Sequence, residues 1–84
     1  MNSKQRKTLA AIFASPTLKN IVWADIESLL LAIGCELIEG NGSRIAFIRD
    51  GAKADFHRPH PGKEAKPYQV RNAKDFLGKL GVEP

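Results

Sequence analysis

The chain carries one cysteine, one tryptophan, one tyrosine, one methionine and two histidines in 84 residues. A lone Cys35 excludes an internal disulfide framework and any zinc site built from several thiolates, which suits a reducing compartment. Its apolar neighbours predict a buried structural thiol rather than a reactive one. Long apolar runs are also missing. The longest, Leu29 to Ile33, falls far short of the roughly 20 residues that span a bilayer. No such run follows the basic residues near the N-terminus, as a secretory signal would require, so a cytoplasmic location is expected. No repeat, linker or low-complexity tract interrupts the chain.

What remains is an ordinary globular composition, with 43% hydrophobic and 26% charged residues. A chain this short buries only about 60% of the surface it exposes when unfolded, so a single domain spanning 1–84 with a small core is expected. Thirteen Lys and Arg against nine Asp and Glu leave a formal charge of +4. Each phosphate that a cation neutralises releases counterions, so this balance favours a polyanionic partner.

The strongest local signal is a hairpin. A β-favouring run from Arg44 to Ile48 meets Asp50-Gly51, the dipeptide of a two-residue turn, and a second run from Lys53 to His57 leads back. With Asp50 and Gly51 as the loop, Arg49 faces Ala52, Ile48 Lys53, Phe47 Ala54, Ala46 Asp55, Ile45 Phe56 and Arg44 His57. Alternation then puts Ile45, Phe47, Ala54 and Phe56 on a core face, and Arg44, Ala46, Ile48, Lys53, Asp55 and His57 on the other.

Before the hairpin, Cys35 to Glu39 alternates well enough for a strand, and Gly40-Asn41-Gly42-Ser43 turns it into Arg44, giving a three-stranded meander. Two helices are marked at both ends. Trp23, Ile26, Leu29, Leu30 and Ile33 recur at helical spacing before Gly34. Pro67 opens a stripe of Val70, Ala73, Phe76, Leu77 and Leu80 that Gly81 stops. A shorter helix is predicted over Ser3 to Ala14, with Ser3 as N-cap and Leu9, Ile12 and Phe13 on its apolar side. Its basic first turn, Lys4, Arg6 and Lys7, runs against the helix dipole. The predicted class is α+β, order α-α-β-β-β-α, with helices on one face of a three-stranded antiparallel sheet.

Two histidines offer little for metal or triad chemistry. His57-x-x-His60 contains Pro59 and lacks a clear third ligand, and nothing supplies an oxyanion hole for Ser43, His57 and Asp55. Arg44, Lys53, His57 and Arg58 form a better set. Cations hold phosphates, and an imidazole can move a proton near neutral pH. RNA cleavage asks for both, because the sugar 2′-hydroxyl is a built-in nucleophile. On residues alone, a solvated basic sheet face with one capped histidine accounts for the set as well.

Gly42-Ser43 followed by Arg44-Ile45-Ala46-Phe47, then Pro59-His60-Pro61-Gly62-Lys63-Glu64 and a terminal helix ending in Leu80-Gly81, resembles the HicA family of toxin mRNA interferases of bacterial toxin-antitoxin systems. The likeness covers about Trp23 to Val82, and the Pro-His-Pro-Gly-Lys-Glu segment is its most specific part. Residues 1–20 then read as an N-terminal helical extension and 21–82 as the core. The resemblance implies a double-stranded-RNA-binding-like fold and a ribonuclease that cuts translated mRNA without metal or other cofactor. It also implies a HicB-type antitoxin that covers the active face.

In that family the residue after the Gly-Ser turn is usually the catalytic histidine, and here it is Arg44. An arginine stays protonated and cannot serve as an ordinary base. The register offers a replacement, since cross-strand neighbours hold their Cβ atoms about 5 Å apart. His57 is therefore expected as the acid-base residue and Arg44 as the phosphate clamp. Ser43, Lys53, Arg58, His60 and Lys63 are expected as RNA contacts, with His60 shaping the loop or meeting the antitoxin or RNA. Two further readings stay open: an RNA-binding module of the same fold without cleavage, and an interaction domain that docks a protein on its open sheet face.

Overall fold

Asp50 and Gly51 both take positive φ, 51° and 80°, the pair of left-handed conformations that a two-residue primed turn requires. In the computed structural model, which describes all 84 residues, the elements run α1 (Ser3–Ile12), α2 (Trp23–Ala32), β1 (Glu36–Glu39), β2 (Arg44–Arg49), β3 (Ala52–His57) and α3 (Pro67–Lys79). The sheet is antiparallel in the order β1-β2-β3. Across the hairpin Arg44 stands opposite His57, Ile45 opposite Phe56, Ala46 opposite Asp55 and Phe47 opposite Ala54. The predicted order, class and register are those observed.

Alternation sorts the faces. Ile45, Phe47 and Phe56 are buried and join one cluster with Trp23, Ile26, Leu29 and Leu30 of α2 and Val70, Ala73, Phe76 and Leu77 of α3. Phe56 sits between two other rings, its centroid 5.0 Å from Trp23 and 6.2 Å from Phe47, spacings at which tilted aromatic pairs attract beyond their area burial. Cys35 is in the same cluster. Burial pushes its thiol pKa up, which keeps the sulfur protonated and a poor nucleophile.

The helix ends follow backbone requirements. Gly34 and Gly81 adopt positive φ just past α2 and α3, where an L side chain would be strained. The start of α1 differs from the expectation. Its N-cap is Asn2, not Ser3: the Asn2 side chain accepts from Gln5 N at 2.8 Å, and the Gln5 side chain accepts from Asn2 N at 2.9 Å. A reciprocal box satisfies two donors where a Ser3 cap would satisfy one. Leu9 and Ile12 of α1 lie in the main core.

The stretch after β3 also differs from a plain polar connection. Val22 forms an isolated antiparallel bridge with Glu64, with Trp23 N donating to Lys63 O at 2.9 Å and Ala65 N to Ile21 O at 2.7 Å. Val22, the N-cap of α2, makes no side-chain cap, so the Lys63 carbonyl meets one of the amides that a helix start leaves unpaired. This pins the Pro59 to Glu64 loop to the start of α2.

Candidate functional site

The face of the sheet away from the helices holds a shallow groove of about 400 Å³, lined by Ile38, Gly40, Asn41, Arg44, Ile45, Ala46, Lys53, Asp55, Phe56 and His57. Its shape follows from side-chain size along the register. Ala46 of the central strand lies between Ile38 on β1 and Asp55 on β3, and one methyl group cannot fill the row that its longer neighbours wall. One end is held open by the turn, where Gly40 N donates to Arg44 O at 2.8 Å and Arg44 N to Asn41 O at 3.2 Å.

Those two bonds point the Arg44 backbone toward β1, while Arg58 N donates to Ser43 O at 2.9 Å one step earlier. Arg44 and His57 are thus a non-hydrogen-bonded pair, the kind whose side chains stand closest. Both are exposed. The Ser43 hydroxyl lies 3.4 Å from His57 Nδ1, a long contact, and no protein group bonds Nε2. Arg44 takes part in none of the ion pairs, which leaves its guanidinium open to a ligand. Lys53 pairs with Asp55 at 3.6 Å, both well exposed, so the pair is weak and exchangeable. Arg44, Lys53 and His57 thus line one groove, and Ser43 lies beside His57 without lining it.

Arg58 does not join them. Its Nε and one terminal nitrogen donate to Glu27 at 2.8 and 3.3 Å, and the other terminal nitrogen donates to Glu39 at 2.8 Å. The two carboxylates raise its pKa still further above the ordinary arginine value. A guanidinium held this way ties α2, β1 and the end of β3 together and has little charge left for a phosphate. Glu27 also accepts from Trp23 Nε1. Glu27→Ala is therefore expected to lower the unfolding free energy by about 2 kcal/mol in a urea titration. It orphans an indole donor, while the loss at half-exposed Arg58 is reduced by solvent. Glu27→Gln, which can still accept from Trp23, should lose less.

His60 and Lys63 are exposed on the loop beyond β3 and do not line the groove. A residue that the sequence reading missed sits behind His57 instead. Gln69 of α3 is 2% exposed. Its Nε2 donates to the His57 carbonyl at 2.6 Å, and its Oε1 accepts from Lys66 N at 2.9 Å. Because β3 is an edge strand and His57 is a non-hydrogen-bonded position toward β2, that carbonyl faces outward and needs an external donor. The signal was a polar residue next to Val70 in an otherwise apolar stripe.

A family model described as "HicA toxin of bacterial toxin-antitoxin" matches residues 23–82, which takes in the sheet, α2, α3 and every groove residue and leaves α1 outside. No curated protein gives a significant match, and no solved structure does either.

Proposed function

The chain belongs to the HicA family, the toxin side of bacterial toxin-antitoxin systems, and from that premise we propose that it is an endoribonuclease that cuts mRNA, with His57 moving the proton and Arg44 holding the phosphate. A toxin of such a system has an antitoxin partner. We take that partner to be of the HicB type, covering the groove. The observation that carries the reading is the pairing of Arg44 with His57 at the rim of an open groove.

The chemistry needs few groups. His57 Nε2 accepts the proton of a 2′-hydroxyl, the freed oxygen attacks the adjacent phosphorus, and the bond from phosphorus to the 5′-oxygen breaks. The leaving 5′-oxygen takes up a proton from water and His57 later gives its own back to solvent, so the products are a 2′,3′-cyclic phosphate and a 5′-hydroxyl. The phosphate gains charge crowding in the transition state, where the planar Arg44 guanidinium can grip two of its oxygens. Ser43 beside Nδ1 steadies the ring, and Lys53 at the groove supplies a second cation. His60 and Lys63 are assigned to contacts with flanking RNA or with the antitoxin. Arg58 supports the end of β3 through its carboxylates.

Incubation of the purified chain with a labelled transcript in a metal chelator tests this. Fragments ending in a cyclic phosphate are the expected outcome. Retention of the transcript on a gel without cleavage would instead point to an RNA-binding module. Neither binding nor cleavage would leave the open face as a protein-docking surface.

A further inference from the structure

The net positive charge of this protein does not come from the part of the chain that builds the groove. Lys4, Arg6, Lys7 and Lys19 stand in a stretch without one Asp or Glu, while from Trp23 onward nine Lys and Arg face nine Asp and Glu. The whole formal charge of +4 therefore belongs to residues 1–22, which the family match leaves out.

The helix in this segment is fixed to the fold. Leu9 and Ile12 anchor α1 in the core, its N-terminus is closed by the Asn2–Gln5 box, and Lys4, Arg6, Lys7 and Lys19 are all exposed. Lys4 alone of the four is paired, with Asp25 at 3.3 Å, and its side chain is 77% exposed, so that pair exchanges readily. Three cations in the first turns of a helix that has no acidic residue there oppose the dipole. Apart from the exposed Lys4–Asp25 pair, the fold gains little from this placement, whereas a polyanion does.

We propose that α1, through Lys4, Arg6 and Lys7, is a second RNA-binding surface that holds phosphodiester backbone without reading sequence. This rests on RNA being the substrate. Phosphate is favoured over an acidic protein because the exposed residues of α1 are Ser3, Lys4, Arg6, Lys7 and Ala10. Lysine is depleted in protein interfaces, whose centres are apolar or aromatic, whereas lysine, arginine and small hydroxyl residues are the usual phosphate ligands. α1 packs on α2 and α3, in the layer across the sheet from the groove. The two surfaces therefore hold different stretches of one strand, and a short oligonucleotide that fills only the groove does not reach α1.

The test is the salt dependence of binding, read by anisotropy of a long labelled single-stranded RNA. Both chains carry His57→Ala, so that nothing is cut during the titration. The variant Lys4→Gln/Arg6→Gln/Lys7→Gln, all at exposed positions, is expected to make the slope of log K against log salt less steep by about 2, at about 0.7 for each phosphate of a single strand that is no longer neutralised. Binding of a short oligonucleotide should be unchanged. An unchanged slope with an unchanged circular dichroism spectrum overturns the proposal. So does a preference of the unsubstituted patch for polyglutamate over RNA at equal charge, which would assign it to an acidic protein. Cleavage is scored separately with His57 intact. A chain that cuts RNA with no slope change refutes the second surface alone, and one that binds through α1 without cutting refutes the ribonuclease reading alone.

Discussion

His57→Ala is expected to slow transcript cleavage by about 10²–10⁴-fold, the usual contribution of a positioned proton-transfer group, while RNA affinity changes little. Arg44→Ala should act differently, because a clamp binds the phosphate in the ground state and more strongly in the transition state. It should raise KM and lower kcat together. Arg44→Lys should recover part of the loss, since it keeps the charge without the two-pronged geometry. The register supplies a sharper control. Arg44 and His57 are cross-strand partners, so Arg44→His in the His57→Ala background returns an imidazole to the same rim of the groove and should restore part of the cleavage. If His57→Ala leaves growth arrest intact while Arg44→Ala abolishes it, the assignment of the base to His57 is wrong.

The hairpin was fully legible because its information is local. Asp50-Gly51 sets the turn, the turn sets the register, and alternation places Arg44, Lys53 and His57 on one face. The ends of α2 and α3 were legible for the same reason, within a residue or so, because Gly34, Pro67 and Gly81 mark conformations that few other residues favour. The ends of α1 carry no such marker: its cap is Asn2 rather than Ser3, and it stops at Ile12 rather than Ala14.

Interactions between distant segments were not legible. Nothing near Arg58 announces that Glu27 and Glu39 converge on it, since 31 and 19 residues separate the partners. An arginine next to a proposed catalytic histidine reads as a phosphate ligand until those carboxylates are seen. Gln69 escaped for a related reason. A glutamine in an apolar stripe signals a buried polar bond, but its acceptor depends on how α3 lies along the edge of β3. The charge asymmetry, by contrast, stood in the sequence throughout. A net charge summed over the chain conceals it, and the first 22 residues taken alone reveal it.

Phe47→Ala is expected to be the most damaging substitution to the fold, and its effect on toxicity should be told apart from that of His57→Ala. Phe47 is 0% exposed, on the central strand directly under the sheet, with half-buried Leu37 and Ala54 as its register partners. Neither neighbour can swing into the space that a missing ring leaves, and the edge-on packing with Phe56 goes with it. Truncations of this kind cost about 3–5 kcal/mol. At about 0.05–0.15 kcal/mol per residue, a domain of 84 residues has a total stability not many times larger. With about 4–8 °C lost per kcal/mol in a domain of this size, calorimetry should show Tm falling by roughly 12–40 °C. Phe47→Leu, which leaves a smaller cavity, should fall less. Both Phe47→Ala and His57→Ala should relieve growth arrest, for opposite reasons. The first should lose folded protein in proportion to its activity, and its activity should return on cooling if enough folded protein is recovered. The second should keep its Tm, its soluble yield and its RNA binding while failing to cut. A Phe47→Ala chain that stays folded and still does not cut would mean that the ring matters to the groove above it, through the position of Ala46 and Arg44, as well as to the core below.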